Sequence, residues 1–173
     1  MHYLYNLAEK TVKKHGTRNP FRLLESMGVL LRYSYEYEPN GLKGFTAIMG
    51  NIMFVVLSGH LTEFEKRIVA GHEAAHLILH KREIANSPLS AMRDFNIYNN
   101  SGRLEYEANS FLSDFLVSDE DMMDVITDTE SDLFFCASIL NLPPQLYVFK
   151  LKSMKERGFD VHFPLGIRGG FLK

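Results

Sequence analysis

The run "GFTAIMGNIMFVVLSGHLTEFEKRIVAGHEAAHLILH", residues 44–80, changes its periodicity part-way along, and that change decides the fold. Its first half is two β-prone stretches joined at Gly50-Asn51, a pair suited to the tight turn of a hairpin. By periodicity alone "IMFVVL" reads equally well as a buried helix, but its shortness and its β-branched and aromatic content favour a strand. From Thr62 the pattern turns helical: Thr62 and Glu65 have the spacing of a capping box, and the helical pattern then runs unbroken to His80. A hairpin leading into a capped helix is therefore the expected centre of the molecule.

On the N-terminal side, residues 3–14 carry Leu4, Leu7, Ala8, Thr11 and Val12 at helical spacing. "NPFRLLESMG" then reads as a short helix with Asn19 as N-cap, Pro20 in the first turn and Gly28 just past the end. "VLLRYSY" (29–35) supplies a third strand. On the C-terminal side, the polar stretch 81–102 reads as a loop long enough to carry function. Helices are expected over 103–117, after Ser118, over "SDLFFCASIL", and over "PPQLYVFKLKSMKERG", with an irregular tail over 159–173. The sum is one α+β domain spanning residues 1–173, mostly helical, with a small and mostly antiparallel sheet of about three strands.

Charge narrows the classes of partner. With 19 basic and 21 acidic residues the net charge is -2, so no global field draws the chain to nucleic acid or to an anionic membrane. The opening "MHYLYNLAEKTVKKHG" has no basic region leading into an apolar one, and no stretch reaches the roughly 18 apolar residues of a membrane span. Cys136 stands alone in an apolar run, which excludes a disulfide framework within the chain and predicts a buried thiol. A cytoplasmic location is expected.

Within the helix lies His72-Glu73-Ala74-Ala75-His76, an HExxH motif. Residues i and i+4 share a helix face about 6 Å apart, so two imidazoles can converge on one tetrahedral zinc. Glu73, beside the first of them, is placed to take a proton from a water that the metal acidifies to a pKa of roughly 7. Chance produces the pattern in roughly 2% of shuffled chains of this composition, so context has to decide. Here the motif sits in a capped helix among Ile68, Val69, Leu77, Ile78 and Leu79, where polar rings without a partner would be costly. The alternative is a pair of satisfied core or surface histidines.

A catalytic zinc needs a third protein ligand and one open position. In "RLEYEANSF" the apolar face centres about 40° past Leu104, which leaves Glu105 about 60° from it and Glu107 about 100° away on the other side. Glu105 is thus the nearer to a buried interface, although an exposed first-turn glutamate is the competing reading. Asn109, four residues on, either supports that carboxylate or is an ordinary surface residue. His80 continues the face of His76 and remains open between a further ligand, a supporting or substrate-facing group, and a plain helix-end histidine.

With these residues in view, the chain resembles the ImmA/IrrE family of zinc metallopeptidases. "NPFRLLESMGVLL" is similar to the family's opening helix and strand, and the 44–80 run to its hairpin and motif helix. "RLEYEANSFLSDFLVSDEDM" is similar to its ExxAN-x-F helix with the segment after it, and the likeness covers roughly residues 19–157. The resemblance implies a zincin-like domain with one zinc per chain. His72, His76 and Glu105 would be its ligands and Glu73 its general base. Where relatives often read HELGH this chain has HEAAH, and Ser118 stands where they often have proline; neither touches a chemical position. No separate helix-turn-helix domain is expected ahead of the peptidase part. The implied activity is zinc-assisted cleavage of a helix-turn-helix transcriptional repressor, in the setting of a mobile element, prophage or stress response. Tyr98, His80 and Arg103 are the candidates to stabilise the oxyanion, in no order. The strand "IMFVVL" is expected to offer an edge to extended substrate if it lies at the border of the sheet.

Two other readings compete. "LFFCASILNLPPQLYVFKLKSM" has a helix-break-helix rhythm that, with Lys150, Lys152, Lys155 and Arg157, would suit a non-proteolytic DNA- or protein-binding regulator. A structural zinc is the other, but such a site is normally closed by a fourth residue and has no use for Glu73.

Overall fold

The computed structural model describes residues 2–38, 41–86, 91–94, 102–128 and 132–161. In chain order its elements are α1 (His2–His15), α2 (Pro20–Ser26), β1 (Leu30–Ser34), β2 (Gly44–Met49), β3 (Ile52–Ser58), α3 (Glu63–Leu79), α4 (Lys81–Asn86), β4 (Ala91–Asp94), α5 (Arg103–Leu116), α6 (Asp119–Asp128), α7 (Leu133–Ile139) and α8 (Pro144–Glu156). This is the mostly helical α+β fold that the sequence predicts. The chain falls into two compact units, residues 15–99 and residues 1–14 with 100–173. Among the described residues no helix is long and apolar enough to cross a membrane.

In the unit of residues 15–99, local signals set the elements. Asn19 caps α2 by accepting from the amides of Phe21 and Arg22, and Gly28 takes the positive φ that ends the helix. Gly50, also at positive φ, turns β2 into β3 through a two-residue loop. The sheet order is β1-β3-β2-β4. β2 pairs antiparallel with β3 from Gly44↔Leu57 to Met49↔Ile52, and with β4 from Gly44↔Asp94 to Ala47↔Ala91. β1 pairs parallel with β3 from Leu30↔Phe54 to Ser34↔Ser58.

Two expectations change here. β3 has a neighbour on each side, so "IMFVVL" offers no free edge, and the idea that it receives a substrate strand is overturned. The stretch 81–102, expected to be a loop, contains both α4 and β4. Neither carries a strong pattern of its own; β4 forms because the outer side of β2 presents unpaired backbone groups, and such pairing overrides weak local propensity.

α3 lies across β2 and β3 and packs on α2. Its residues are buried without a break from Ile68 to Leu77, as befits a helix apolar on most of its circumference. Its start is held by the full capping box: Thr62 Oγ1 accepts from the Glu65 amide, and Glu65 Oε2 accepts from the Thr62 amide at 2.9 Å. The hydrogen bond from the Thr62 amide, helped by Lys43 at 3.6 Å, holds the Glu65 carboxyl below its ordinary pKa.

In the unit of residues 1–14 and 100–173, α5 packs on α8 around a buried ionic cluster. Lys150 is fully buried, with its ammonium 3.0 Å from Asp114 Oδ1 and 2.7 Å from Asp119 Oδ1. Ser153 donates to Asp114, and Arg157 donates through two nitrogens to Asp119 while its guanidinium lies 3.5 Å from the ring centroid of Tyr5. Burial pushes the Asp114 carboxyl up against the pull of Lys150, whereas at Asp119 burial is overcome by Arg157 and Lys150, which hold that carboxyl far below its usual range.

Candidate metal centre

The middle of α3 carries the site. One turn apart, His72 and His76 bring Nε2 to within 2.9 Å of Nε2, with ring planes at 79°. Two nitrogens on one tetrahedral zinc lie roughly 3.3 Å apart, so the pair fits such an ion after a shift of a few tenths of an ångström. The other side of the His76 ring is also engaged: its Nδ1 lies 3.0 Å from Nδ1 of His80. All three imidazoles are buried, at 0%, 1% and 2% exposure.

Glu73, adjacent in sequence to His72, points about 100° around the helix from it. Its carboxylate is 1% exposed and lies over the first residue of β2. A Cβ added at Gly44 would stand 3.2 Å from Glu73 Oε1 and only 2.6 Å from Val69 Cγ1. Gly44 is thus the position at which helix and strand approach most tightly beside the carboxylate. Reasoning from the motif alone misses it, although an isolated glycine in a strand pattern is the known signal of close approach.

On α5, Glu105 sits half-buried in the first turn and Asn109, four residues on, is buried at 2% exposure. Asn109 is therefore not the surface residue that one of its readings allowed. Glu107 lies 3.7 Å from Arg103, whose side chain is 75% exposed, so these two form a solvent-facing ion pair on the helix. Tyr98 lies outside the described residues.

The model of the IrrE N-terminal-like domain matches residues 19–152, well over half of the chain. The chain belongs to the ImmA/IrrE family. No curated protein and no solved structure matches it. The family match makes this a metallopeptidase-type domain, and it spans the HExxH helix α3 as well as α5 with Glu105.

Three of the four basic residues of the helix-break-helix stretch are engaged by neighbours in this ImmA/IrrE domain. Lys150 and Arg157 are occupied in the buried cluster with Asp114 and Asp119, and Lys152 lies over the ring of Tyr106 at 4.8 Å. Their periodicity along α8 explains why: Tyr147, Lys150, Leu151 and Met154 recur at helical spacing, so Lys150 lies on the apolar face.

Proposed function

We propose that this domain is a zinc-dependent endopeptidase that cleaves a helix-turn-helix transcriptional repressor in the cytoplasm, in the regulation of a mobile element, prophage or stress response. The observation that carries the reading is the convergence of His72 Nε2 and His76 Nε2 in the buried middle of α3, with Glu73 beside them. By the family resemblance Glu105, in the ExxAN stretch of α5, would be the third ligand beside His72 and His76. Three protein ligands leave a tetrahedral ion one open position, the mark of a catalytic centre as opposed to a structural one. Zinc held there would supply a Lewis acid, the chemistry that makes water nucleophilic near neutral pH.

In this reading the chain's own work is proton handling and orientation. Glu73 accepts the proton of the attacking water and delivers it to the departing amine, which must leave protonated. Burial beneath α3 and over Gly44 restricts the carboxylate to few positions, so proton transfer needs little reorganisation. Family membership and the HExxH geometry support peptidase chemistry, while the repressor as substrate rests on the resemblance alone.

The test combines metal analysis with Glu73→Gln and a cleavage assay on purified helix-turn-helix repressors encoded near its gene. The expected result is about one zinc per chain in both proteins, with repressor cleavage by the wild type and none by Glu73→Gln. Absence of zinc after reconstitution would overturn the enzyme reading. Cleavage surviving in Glu73→Gln would remove that residue from the role of base.

A further inference from the structure

We propose that His80 is a positioning residue for His76: its Nδ1 accepts a hydrogen bond from the His76 Nδ1–H, which fixes that imidazole in the tautomer whose Nε2 lone pair faces His72. The proposal rests on the reading of the site as a zinc centre and assigns the one histidine of the motif helix that this reading leaves without a role.

The geometry separates His80 from the ligands. The two nitrogens of an imidazole point to opposite sides of the ring, and His76 uses each toward a different neighbour, Nε2 toward His72 at 2.9 Å and Nδ1 toward His80 at 3.0 Å. An ion seated between the Nε2 atoms therefore lies on the far side of His76 from His80. A further ligand to that ion is excluded for His80 on this ground. Nor is His80 an exposed helix-end histidine, since it is 2% exposed.

Its backbone is held as firmly as its ring. His80 is the C-cap of α3 and donates its amide to His76 O at 2.8 Å, while its own carbonyl accepts from the Ile84 amide at 3.0 Å at the start of α4. The junction of two helices thus fixes where the ring can stand. Metal-binding histidines commonly donate their second ring N–H to such an acceptor, which selects the tautomer and raises the basicity of the coordinating nitrogen.

The experiment compares zinc affinity, by competition with a chromophoric chelator, among wild type, His80→Ala and His80→Asn, each first shown folded without metal by circular dichroism. Asparagine places its side-chain oxygen near the position of Nδ1 and so keeps an acceptor. His80→Ala is expected to bind zinc about 10–100-fold more weakly, with an altered visible absorption band when cobalt replaces zinc. His80→Asn is expected to recover most of the affinity and the wild-type band. Wild-type affinity in His80→Ala, or affinity in His80→Asn as weak as in His80→Ala, would overturn the proposal. His72→Ala is the separate control: if it binds zinc as tightly as wild type, the zinc centre itself is misplaced, and this assignment falls with it.

Discussion

Gly44→Ala is the most direct probe of how the fold holds the candidate base. The added methyl would meet Val69 Cγ1 at 2.6 Å, Leu57 Cδ2 at 3.3 Å and Glu73 Oε1 at 3.2 Å. Val69 and Leu57 are both fully buried, and a valine on a helix is stiff at its first side-chain torsion, so the nearest neighbour cannot swing away. The clash must be relieved by moving α3 off β2, and overpacking of this kind costs about 1–3 kcal/mol. Val69→Ala alone also destabilises, by about 1–3 kcal/mol, through lost burial and a small cavity. Combined, the two changes should cost less than their sum by at least about 1 kcal/mol, because removing Cγ1 opens the space that the new methyl needs. Urea unfolding monitored by far-ultraviolet circular dichroism reads all four proteins, a suitable signal for a chain with no tryptophan. Peptidase activity should fall in Gly44→Ala, since the displaced carboxylate belongs to Glu73. Strict additivity, or wild-type stability in Gly44→Ala, would refute the close approach as the reason for glycine.

The ionic cluster supplies two more tests. Lys150→Met removes the buried ammonium beside Asp114 and Asp119 and should cost about 3–5 kcal/mol in urea unfolding, with partial recovery on adding Asp114→Asn; a loss below about 1 kcal/mol would contradict the burial. Asp119→Asn should cost about 1–3 kcal/mol at neutral pH. Because the Asp119 carboxyl is held below its ordinary value of 3.8, its stabilisation is complete above that value and is lost as pH falls toward the folded-state pKa. The difference between wild type and Asp119→Asn should therefore shrink between about pH 4 and pH 2, and a difference that grows on acidification would reverse the assignment.

What the sequence displays is what neighbours in the chain decide. Asn19, Pro20 and Gly28 frame α2, Gly50 turns the hairpin, and Thr62 with Glu65 starts α3, each through hydrogen bonds or backbone angles within a few residues. The sheet order is hidden because β1 reaches β3 across more than twenty residues and pairs parallel, so no local turn signals it. β4 pairs antiparallel with β2 from far along the chain, and no local turn signals that either. For the site, helical spacing is enough to place His72 and His76 on one face. It cannot decide His80, whose role depends on which ring nitrogen of His76 faces which neighbour, a matter of side-chain torsion and not of spacing. Lys150 is misread when its charge is weighed before its place on the apolar face of α8.

The central position of β3 has a consequence for solubility. "IMFVVL" is six apolar residues, half of them β-branched, without charge, proline or glycine, the composition of a segment that stacks into cross-β fibrils. Natural proteins that need such a strand keep its backbone occupied. Here β2 covers one side and β1 the other, and β1 is only five residues long with Arg32 at its middle. A short outer strand with a charge at its centre is a poor template for a second chain. Detachment of β1 would uncover the fibril-prone strand, which makes those five residues a guard against aggregation.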